Sequence, residues 1–310
     1  MMKKRFFAAV LLSLFAILSN AQALQFIKSD HDPVSSAMGG ASSVYSKSAY
    51  AAFNNMAAFA FSDDMVDVAL SYSDAQPGGS RVRGVNLGGS MCVSDAFGIS
   101  AAFSGGLGKA YDIVDMDGNK CGRFTPAEYM VSVGASYRFC PYVSVGLNAG
   151  YAGTMLADGI NYGALVSDIF VMSEFYGARL TLGLSDIGTQ ISSAGGNRYM
   201  LPTSIVAGAG YSADFGSMHK VKVAAESNLW HGGKFSVAVG TSYSFHDFLE
   251  VRAGYRYGGR TVIPSYCSAG MGLKIAGVCL DFSYILPVFQ NRMSGTWVVG
   301  LGFAIGRDDN

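Results

Sequence analysis

The chain has 310 residues, with 22 basic and 22 acidic side chains. Charged residues make up 14% of it, whereas a soluble domain carries roughly a quarter. Half of the residues are hydrophobic, and the chain contains 40 glycines, 20 phenylalanines and 17 tyrosines. Because basic residues are not in excess, nucleic acid is not the partner that this composition favours.

Residues 1–23 are predicted to be a secretory signal peptide. Lys3, Lys4 and Arg5 precede an apolar run over 6–18, and small residues ending at Ala21 or Ala23 offer cleavage sites. Its removal leaves 19 basic against 22 acidic residues, a net charge of −3. Beyond residue 23 no apolar stretch reaches the roughly 18 residues of a membrane helix. An exported, apolar, glycine-rich and aromatic-rich chain is therefore predicted to be a transmembrane β-barrel.

Residues 24–64 form the next segment, and they do not read as strand. The stretch SSAMGGASSVYSKSAYAAFNNMAAFAFSDD is rich in small residues and capable of forming helix. It could be a linker, a surface helix or an internal part of whatever the strands build, and residues 65–310 decide between these.

Residues 65–310 alternate between large apolar side chains in one phase and Gly, Ser or occasional Arg in the other. In 296–305, for example, Trp297, Leu301 and Phe303 alternate with Thr296 and Gly302. A barrel in lipid needs bulky residues outside, whereas a secreted β-sandwich or propeller, the alternative, would place them inside. Fourteen such strands are predicted, at 65–73, 82–93, 96–105, 125–139, 142–153, 160–172, 174–185, 202–213, 218–228, 233–245, 247–257, 265–275, 277–286 and 295–306.

The connections between these strands alternate between short and long. Short turns are predicted near Ser94, Pro141, Ser173, 214–217, His246 and Ala276, with longer links at 74–81, 106–124, 154–159, 186–201, 229–232, 258–264 and 287–294. In bacterial outer-membrane barrels the short turns face the periplasm. The pattern predicts an integral protein of a Gram-negative outer membrane, in contact with its lipid, with both termini in the periplasm.

Three ordered stretches resemble the PorV/PorQ family of outer-membrane proteins, which have a FadL-like barrel of fourteen strands. They are SSAMGGASSVYSKSAYAAFNNMAAFA, LTLGLSDIGTQISSAGGNRYMLPTSIVAGAGYS at 180–212, and LEVRAGYRYGG at 249–259 continuing into YCSAGMGLKIAGVCLDFSYI. The Arg252–Tyr255 and Asp281–Tyr284 stretches are closer to PorV than to PorQ. One departure is Asn55-Met56-Ala57, where the family has Asn-Pro-Ala.

The resemblance implies a non-enzymatic adaptor of the type IX secretion system. Such a protein would bind cargo C-terminal domains or attachment-complex subunits through extracellular loops, here 106–124, 186–201 and 287–294, and needs no cofactor. The alternative is a FadL-like channel that passes small hydrophobic molecules through a lumen gated by the N-terminal segment. An enzyme is the least favoured reading, because no grouping of nucleophile, acid and base is visible in the sequence.

Within this barrel, the segment 24–64 is predicted to be a plug folded into the lumen. Its proposed packing residues are Gly39, Gly40, Ala41, Asn54 and Asn55. Charge inside a barrel needs a partner or water. The inward phase therefore predicts a lumenal polar network, or alternatively a substrate site, made of Arg138, Asn148, Glu226, Arg252 and Arg256.

Metal and disulfide sites find little support in the sequence. Asp112, Asp115, Asp117 and Asn119 could offer oxygen ligands to Ca²⁺, but they lack the EF-hand spacing and Asp-Gly is ordinary turn chemistry. The four histidines, at His31, His219, His231 and His246, have no metal-site spacing. The five cysteines, Cys92, Cys121, Cys140, Cys267 and Cys279, are expected to be free packing residues.

Overall fold

A computed structural model describes residues 24–75, 81–157, 159–192, 198–230, 233–258, 263–288 and 295–306. The predicted signal peptide, His231 and parts of six predicted links lie outside these ranges. Among the described residues, no helix has the length and apolar character needed to cross a membrane.

Fourteen antiparallel strands close into a barrel, as the alternation predicts. They are β1 (Asp64–Ala75), β2 (Val82–Cys92), β3 (Phe97–Leu107), β6 (Ala127–Cys140), β7 (Val143–Ala157), β8 (Ile160–Phe175), β9 (Ala178–Gly188), β12 (Ser204–Phe215), β13 (His219–Trp230), β14 (Phe235–Phe245), β15 (Leu249–Tyr257), β16 (Tyr266–Ile275), β17 (Val278–Pro287) and β18 (Thr296–Gly306). Each pairs with its neighbour in sequence, and β1 pairs with β18 to close the barrel. Closure leaves no free sheet edge in the barrel wall.

Two small hairpins stand apart from the barrel sheet. One joins β4 (Tyr111–Val114) to β5 (Lys120–Phe124), and the other joins β10 (Ile191–Ser192) to β11 (Arg198–Tyr199). Both interrupt predicted long links, so those links are partly ordered as strand.

The long and short connections lie at opposite ends of the barrel, which we call the long-link end and the short-turn end. Two details differ from the prediction. The turn expected near Ser173 lies at Tyr176 and Gly177, both with positive φ (47° and 78°), because β8 runs on to Phe175. The long link expected at 154–159 is short, since β7 continues to Ala157 and β8 begins at Ile160.

The outer face of the barrel is apolar and exposed. Phe303 is 48% exposed, Leu301 54% and Phe103 44%, whereas the alternate residues Ser100, Ser104 and Thr296 are buried. Because the bulky phase points outward, the wall suits hydrocarbon outside and a polar interior.

The segment from Leu24 to Ser62 lies inside the barrel as a plug. It contains the 3₁₀ turns Gln25–Lys28 and Ser48–Tyr50 and the short helices Pro33–Ala37 and Met56–Phe59. The Asp32 carboxylate accepts from the amides of Val34 and Ser35 and so caps the first helix. The Asn55 side chain accepts from the amide of Ala57 at the start of the second helix, where Met56 stands at the position that is proline in the PorV/PorQ pattern.

Candidate lumenal site

The plug touches each of the fourteen barrel strands. Its contacts, in the order β1 to β18, are Ala49 with Asp67, Ala49 with Gly88, Phe59 with Gly98, Ala52 with Ser132, Ala57 with Gly146, Ala57 with Phe170, Asn55 with Thr181, Val44 with Gly208, Ser43 with Glu226, Met38 with Gly240, Gly39 with Gly254, Gly39 with Ser268, Ser36 with Ser283, and Pro33 with Gly300. Wall glycines and serines give the room and the hydrogen bonds that this packing needs.

An apolar cluster lies at the long-link end of the lumen. Its buried members are Leu24, Ile27, Met130, Ala152, Ala164, Val166, Ile191 and Leu201, with Phe26, Phe53, Tyr162 and Tyr199 packed against them. The cluster joins the plug, three barrel strands and the β10–β11 hairpin. The sequence did not indicate this cluster, because Leu24 and Ile27 precede the small-residue stretch 35–64 and Leu201 lies in a predicted link.

Arg256, a predicted lumenal residue, holds the turn of the plug at Gly39 and Gly40. Its guanidinium donates to the carbonyl of Gly39 at 2.8 Å and to that of Gly40, and it lies 3.9 Å from the Glu226 carboxylate. Glu226 also accepts from the amide of Ser43 at 2.8 Å. Arg256 and Glu226 therefore form hydrogen bonds with the carbonyls of Gly39 and Gly40 and with the amide of Ser43, around one bend of the plug.

Gly39 and Gly40 form this bend because their backbone requires glycine. Their φ values are +73° and +76°, in the left-handed region that side chains disfavour. A Cβ on Gly39 would lie 2.8 Å from the Tyr255 carbonyl oxygen, and one on Gly40 would meet the Arg256 guanidinium. Ala41, the next predicted packing residue, is fully buried.

Asn55 and Asn54 differ in what they contact. Asn55 is fully buried and donates to the Ser43 carbonyl at 2.8 Å and to the Thr181 hydroxyl at 3.1 Å. It thus ties the second plug helix to both the first half of the plug and the wall. Asn54 is half-buried, and its amide nitrogen has no hydrogen-bond partner among the described residues.

Arg252 lies in a second ionic group, nearer the short-turn end. Its guanidinium donates to Asp281 and Glu250, each at 2.8 Å. Asp281 in turn lies 3.6 Å from the ammonium of Lys47 on the plug. The sequence identified Arg252 but not its partners, since strand register decides which side chains meet.

Asn148 and Arg138 are separated from these ionic groups. Asn148 donates to the Asp168 carboxylate at 3.3 Å and to the plug carbonyl of Ala51 at 3.4 Å. Arg138 is half-buried near the end of β6, and its guanidinium donates to the Asp95 carbonyl at 2.6 Å. The five residues predicted as one polar network thus lie in separate groups, and Arg138 lies at the rim of the short-turn end.

Lys28 joins the plug to the barrel wall through contacts that the sequence did not indicate. Its ammonium forms an ion pair with Asp186, donates to the hydroxyl of Ser185 at 2.5 Å and to that of Ser204 at 3.4 Å. It also lies 5.0 Å from the Trp230 ring centroid. Two hydroxyls, a carboxylate and an aromatic face compensate a cation that is largely withdrawn from water.

Two neighbouring titratable residues of the plug, Asp30 and His31, have pKa values shifted in the direction that favours the uncharged form of each side chain. Burial lowers the pKa of His31 to about 4, although a hydrogen bond from its ring to Asn86 opposes the shift. Burial also raises the pKa of Asp30 to about 6, against the attraction of Arg256 and a hydrogen bond from Tyr266. Burial in this part of the lumen removes the water that would stabilise a charged side chain.

A polar cavity of about 410 Å³ opens below the plug at the short-turn end. We call it the vestibule. Plug residues that line it include Lys47, Ala51, Asn55 and Phe59, and wall residues include Arg179, Lys220, Lys222, Glu250, Arg252 and Lys274. Arg179 and Lys222 approach the Tyr45 ring to 5.0 and 5.8 Å from its centroid.

Metal binding finds no support in the parts of the chain that the structure describes, where no group of three His, Cys, Asp or Glu could hold an ion. In the β4–β5 turn, the Asp115 carboxylate accepts from the amides of Asp117 and Asn119, and Asp112 pairs with Lys120 at 2.6 Å. Turn hydrogen bonds and one ion pair therefore organise the acidic stretch at 112–119.

The cysteines are not the packing residues that the sequence predicted. Cys121, Cys140 and Cys267 are exposed, and Cys279 is half-buried. None of these four is in a disulfide. Cys92 is half-buried, and its sulfur lies 3.5 Å from the Asp64 carbonyl oxygen.

The fold and the lumen define a membrane-spanning β-barrel of fourteen strands with an N-terminal plug, a FadL-like architecture. Solved structures with this fold include the Pseudomonas putida toluene transporter TodX, with a TM-score of 0.63 and 12% identity over 90% of this chain and 99% of that one. The Ralstonia pickettii toluene transporter TbuX matches at 0.58 and 10%, over 89% and 98%. A Pseudomonas aeruginosa FadL homologue matches at 0.54 and 13%, over 93% and 100%. No protein-family model and no curated protein sequence matches the chain.

Proposed function

We propose that this protein is a non-enzymatic outer-membrane channel for small hydrophobic molecules, with the short-turn end in the periplasm. The observation that carries the proposal is the apolar cluster at the long-link end, the largest of the buried apolar clusters among the described residues, set in a lumen whose wall also carries many Gly, Ser, Asn and charged residues. Proteins that share the fold are described as toluene transporters. That shared architecture supports the proposal.

The apolar cluster gives a hydrophobic molecule a place to leave water. Burying apolar surface yields about 25 cal/mol per Å², which favours the transfer of a one-ring hydrocarbon from water to the side chains of Leu24, Ile27 and Leu201. Phe53 and Tyr162 add aromatic faces to the same cluster. Passage to the vestibule then requires the plug to move, since the plug contacts every strand of the wall.

An uptake assay tests this function. The protein is produced in a Gram-negative host that lacks such channels, and entry of radiolabelled toluene is measured. Uptake is expected to rise above the empty-vector level and to fall in Leu201→Asn and Val166→Asn, which place an amide in the cluster. Val114→Asn, on the exposed β4–β5 hairpin, is the matched control and should leave uptake unchanged. Equal uptake with the protein and with empty vector would rule out the channel.

A second candidate is the type IX secretion adaptor, favoured by the three ordered motifs that resemble the PorV/PorQ family. A barrel filled by its plug suits a carrier that works through its outer surface rather than its lumen. Of the loops expected to bind cargo, 106–124 presents the exposed hairpin β4–β5, with Met116 fully exposed at its tip. The other two, at 186–201 and 287–294, extend beyond the described residues.

Affinity purification from the native host separates the two candidates. An adaptor would co-purify with secreted cargo or attachment-complex subunits, and replacing 109–125 by a short Gly-Ser link would reduce that yield. Purification of the barrel alone, together with normal secretion after deletion of its gene, would exclude the adaptor role.

A further inference from the structure

His31 lies in the plug beside the apolar cluster. It follows Ile27 of the cluster and precedes the helix Pro33–Ala37, and its side chain is buried. Its ring lies against the Phe53 ring, with 4.6 Å between centroids, and Phe53 packs against the cluster. An imidazole ring therefore borders the place where the proposed channel would hold a hydrophobic molecule.

The hydrogen bonds around His31 fix the orientation of the Asn86 side-chain amide. The Ser71 hydroxyl donates to the His31 carbonyl at 2.7 Å, so its oxygen is free to accept from the Asn86 amide nitrogen at 3.0 Å. The same nitrogen lies 3.5 Å from the His31 carbonyl oxygen. Because both groups on this side accept, the NH₂ of Asn86 faces them and its carbonyl oxygen faces the His31 ring.

The orientation of Asn86 in turn fixes the position of the proton on the His31 ring. The Asn86 carbonyl oxygen lies 3.1 Å from Nδ1 of His31 and accepts from the Ser104 hydroxyl at 2.7 Å. Two acceptors at 3.1 Å would repel each other, so Nδ1 carries the proton and donates it. Burial lowers the pKa of His31 to about 4, which keeps the ring neutral. In a neutral imidazole with its proton on Nδ1, Nε2 is an acceptor.

Nε2 of His31 is buried and has no hydrogen-bond partner among the described residues. The two nitrogens of an imidazole point in diverging directions, and Nδ1 faces Asn86 on β2 and Ser104 on β3. Nε2 therefore points away from this part of the wall, toward the interior of the lumen. A buried acceptor without a donor is unfavourable, and a ligand that supplies the donor recovers the lost free energy.

The surroundings of this acceptor favour a neutral donor on an aromatic ring. Phe53 and Tyr162 offer aromatic faces, and the buried members of the cluster offer aliphatic surface. A charged donor such as an ammonium group is disfavoured, because it would lose its water among apolar side chains. The contact requires the half-buried Phe53 ring to turn aside, since Nε2 of His31 is closed to solvent.

We propose that Nε2 of His31 accepts a hydrogen bond from the hydroxyl of a one-ring phenol held against the apolar cluster, so that the barrel prefers phenols to ring molecules of similar shape that lack a donor. The role of this preference in transport rests on the proposed channel function. Binding of the phenol to the barrel does not, so binding and transport are measured separately.

Nitrogen NMR of the purified barrel, labelled at its histidine rings, tests the contact. Ring nitrogen shifts distinguish a protonated nitrogen from a bare one, and the His31 signals are those lost in His31→Phe. At neutral pH we expect a protonated Nδ1 and a bare Nε2. Para-cresol should shift the Nε2 signal of the wild type, whereas para-methylanisole, a similar ring without a donor, should not. A protonated Nε2, or an equal response to the two compounds, would overturn the proposal.

Equilibrium binding to the purified barrel measures the preference. The dissociation constant of para-methylanisole divided by that of para-cresol should be about three- to tenfold larger in the wild type than in His31→Phe, the effect of one hydrogen bond. His219→Phe, which removes an imidazole at the short-turn end, is the matched control and should keep the wild-type ratio. Equal ratios in the wild type and in His31→Phe would contradict the proposal.

Uptake by cells that produce the barrel separates this inference from the channel function. If para-cresol binds and shifts the Nε2 signal but neither cresol nor toluene enters the cells, the channel function fails while the phenol site stands. If toluene enters but para-cresol neither binds preferentially nor shifts the signal, the channel function stands and the phenol site is wrong.

Discussion

At the scale of single residues, the lumen is built from backbone contacts that only glycine and small polar side chains permit. Gly88 and Gly89 are adjacent on β2 and show the difference. A Cβ on Gly88 would overlap the plug carbonyl of Ala49, whereas one on Gly89 would have its nearest neighbour at 3.9 Å, on Val68. Inward and outward positions of one strand therefore tolerate different residues.

Gly88→Ala is expected to destabilise the seated plug by roughly 1–3 kcal/mol, the usual cost of overpacking. The thermal midpoint of the purified barrel in micelles measures the change. Gly89→Ala is the control and should stay within about 0.5 kcal/mol of the wild type. Similar thermal midpoints for the two variants would show that the plug does not pack closely against β2.

His31 gives the plug a dependence on pH. Its ring contacts Asn86 and Ser104, lies tilted against the Phe53 ring at 4.6 Å between centroids, and is attracted by the charge of Asp186. Because its folded pKa is lowered to about 4 from 6.5, its contribution to stability is complete above pH 6.5 and is lost as pH falls toward 4. Asp30, with its pKa raised to about 6, acts in the opposite sense: its contribution is present at low pH and is lost as pH rises through 6.

His31→Gln isolates the histidine contribution. Between about pH 7 and about pH 4.5 the wild type should lose roughly 2 kcal/mol more than the variant, since the displaced histidine gains a proton that the buried one does not. Thermal midpoints of both proteins at the two pH values provide the comparison. Parallel losses in the two proteins would mean that His31 stays neutral in both states.

At the scale of elements, the barrel strands and the projecting hairpin are separate structures. β3 pairs with β6 directly, down to Leu107 opposite Ala127, and β4–β5 form a two-stranded sheet of their own. The alternation predicted the barrel strands because each has one lipid-facing side. It did not predict β4 and β5, because a hairpin exposed on both faces has no such alternation.

Replacing 109–125 by a short Gly-Ser link should therefore leave the barrel intact. The shift in electrophoretic mobility on heating, which reports a folded barrel, is expected to be unchanged, as is the thermal midpoint. Calcium should not alter the midpoint of the unmodified protein. Loss of the heat-dependent shift in the shortened chain would show that the hairpin takes part in closing the barrel.

At the scale of the whole molecule, the plug determines whether the barrel conducts. Without residues 24–62 the lumen would be lined by the inward phase, which is rich in Gly, Ser, Asn, Asp and Arg, and would fill with water. A folded barrel lacking these residues should show a large conductance in planar bilayers, and the intact protein should show little. Comparable conductance of the two proteins would mean that the plug does not seal the lumen.

The sequence by itself determined the barrel, its fourteen strands and the outward direction of its bulky side chains, because a strand between lipid and lumen must alternate with period two. It also located the plug and named Arg252, Arg256, Glu226 and Asn148 as inward. Only the tertiary structure decided which residues these inward side chains contact. Lys28 and Ser185 are 157 residues apart, and only closure of the barrel brings them together. It also placed Arg138 at the rim, since position along a strand, and not phase alone, sets whether an inward side chain reaches the plug or the rim.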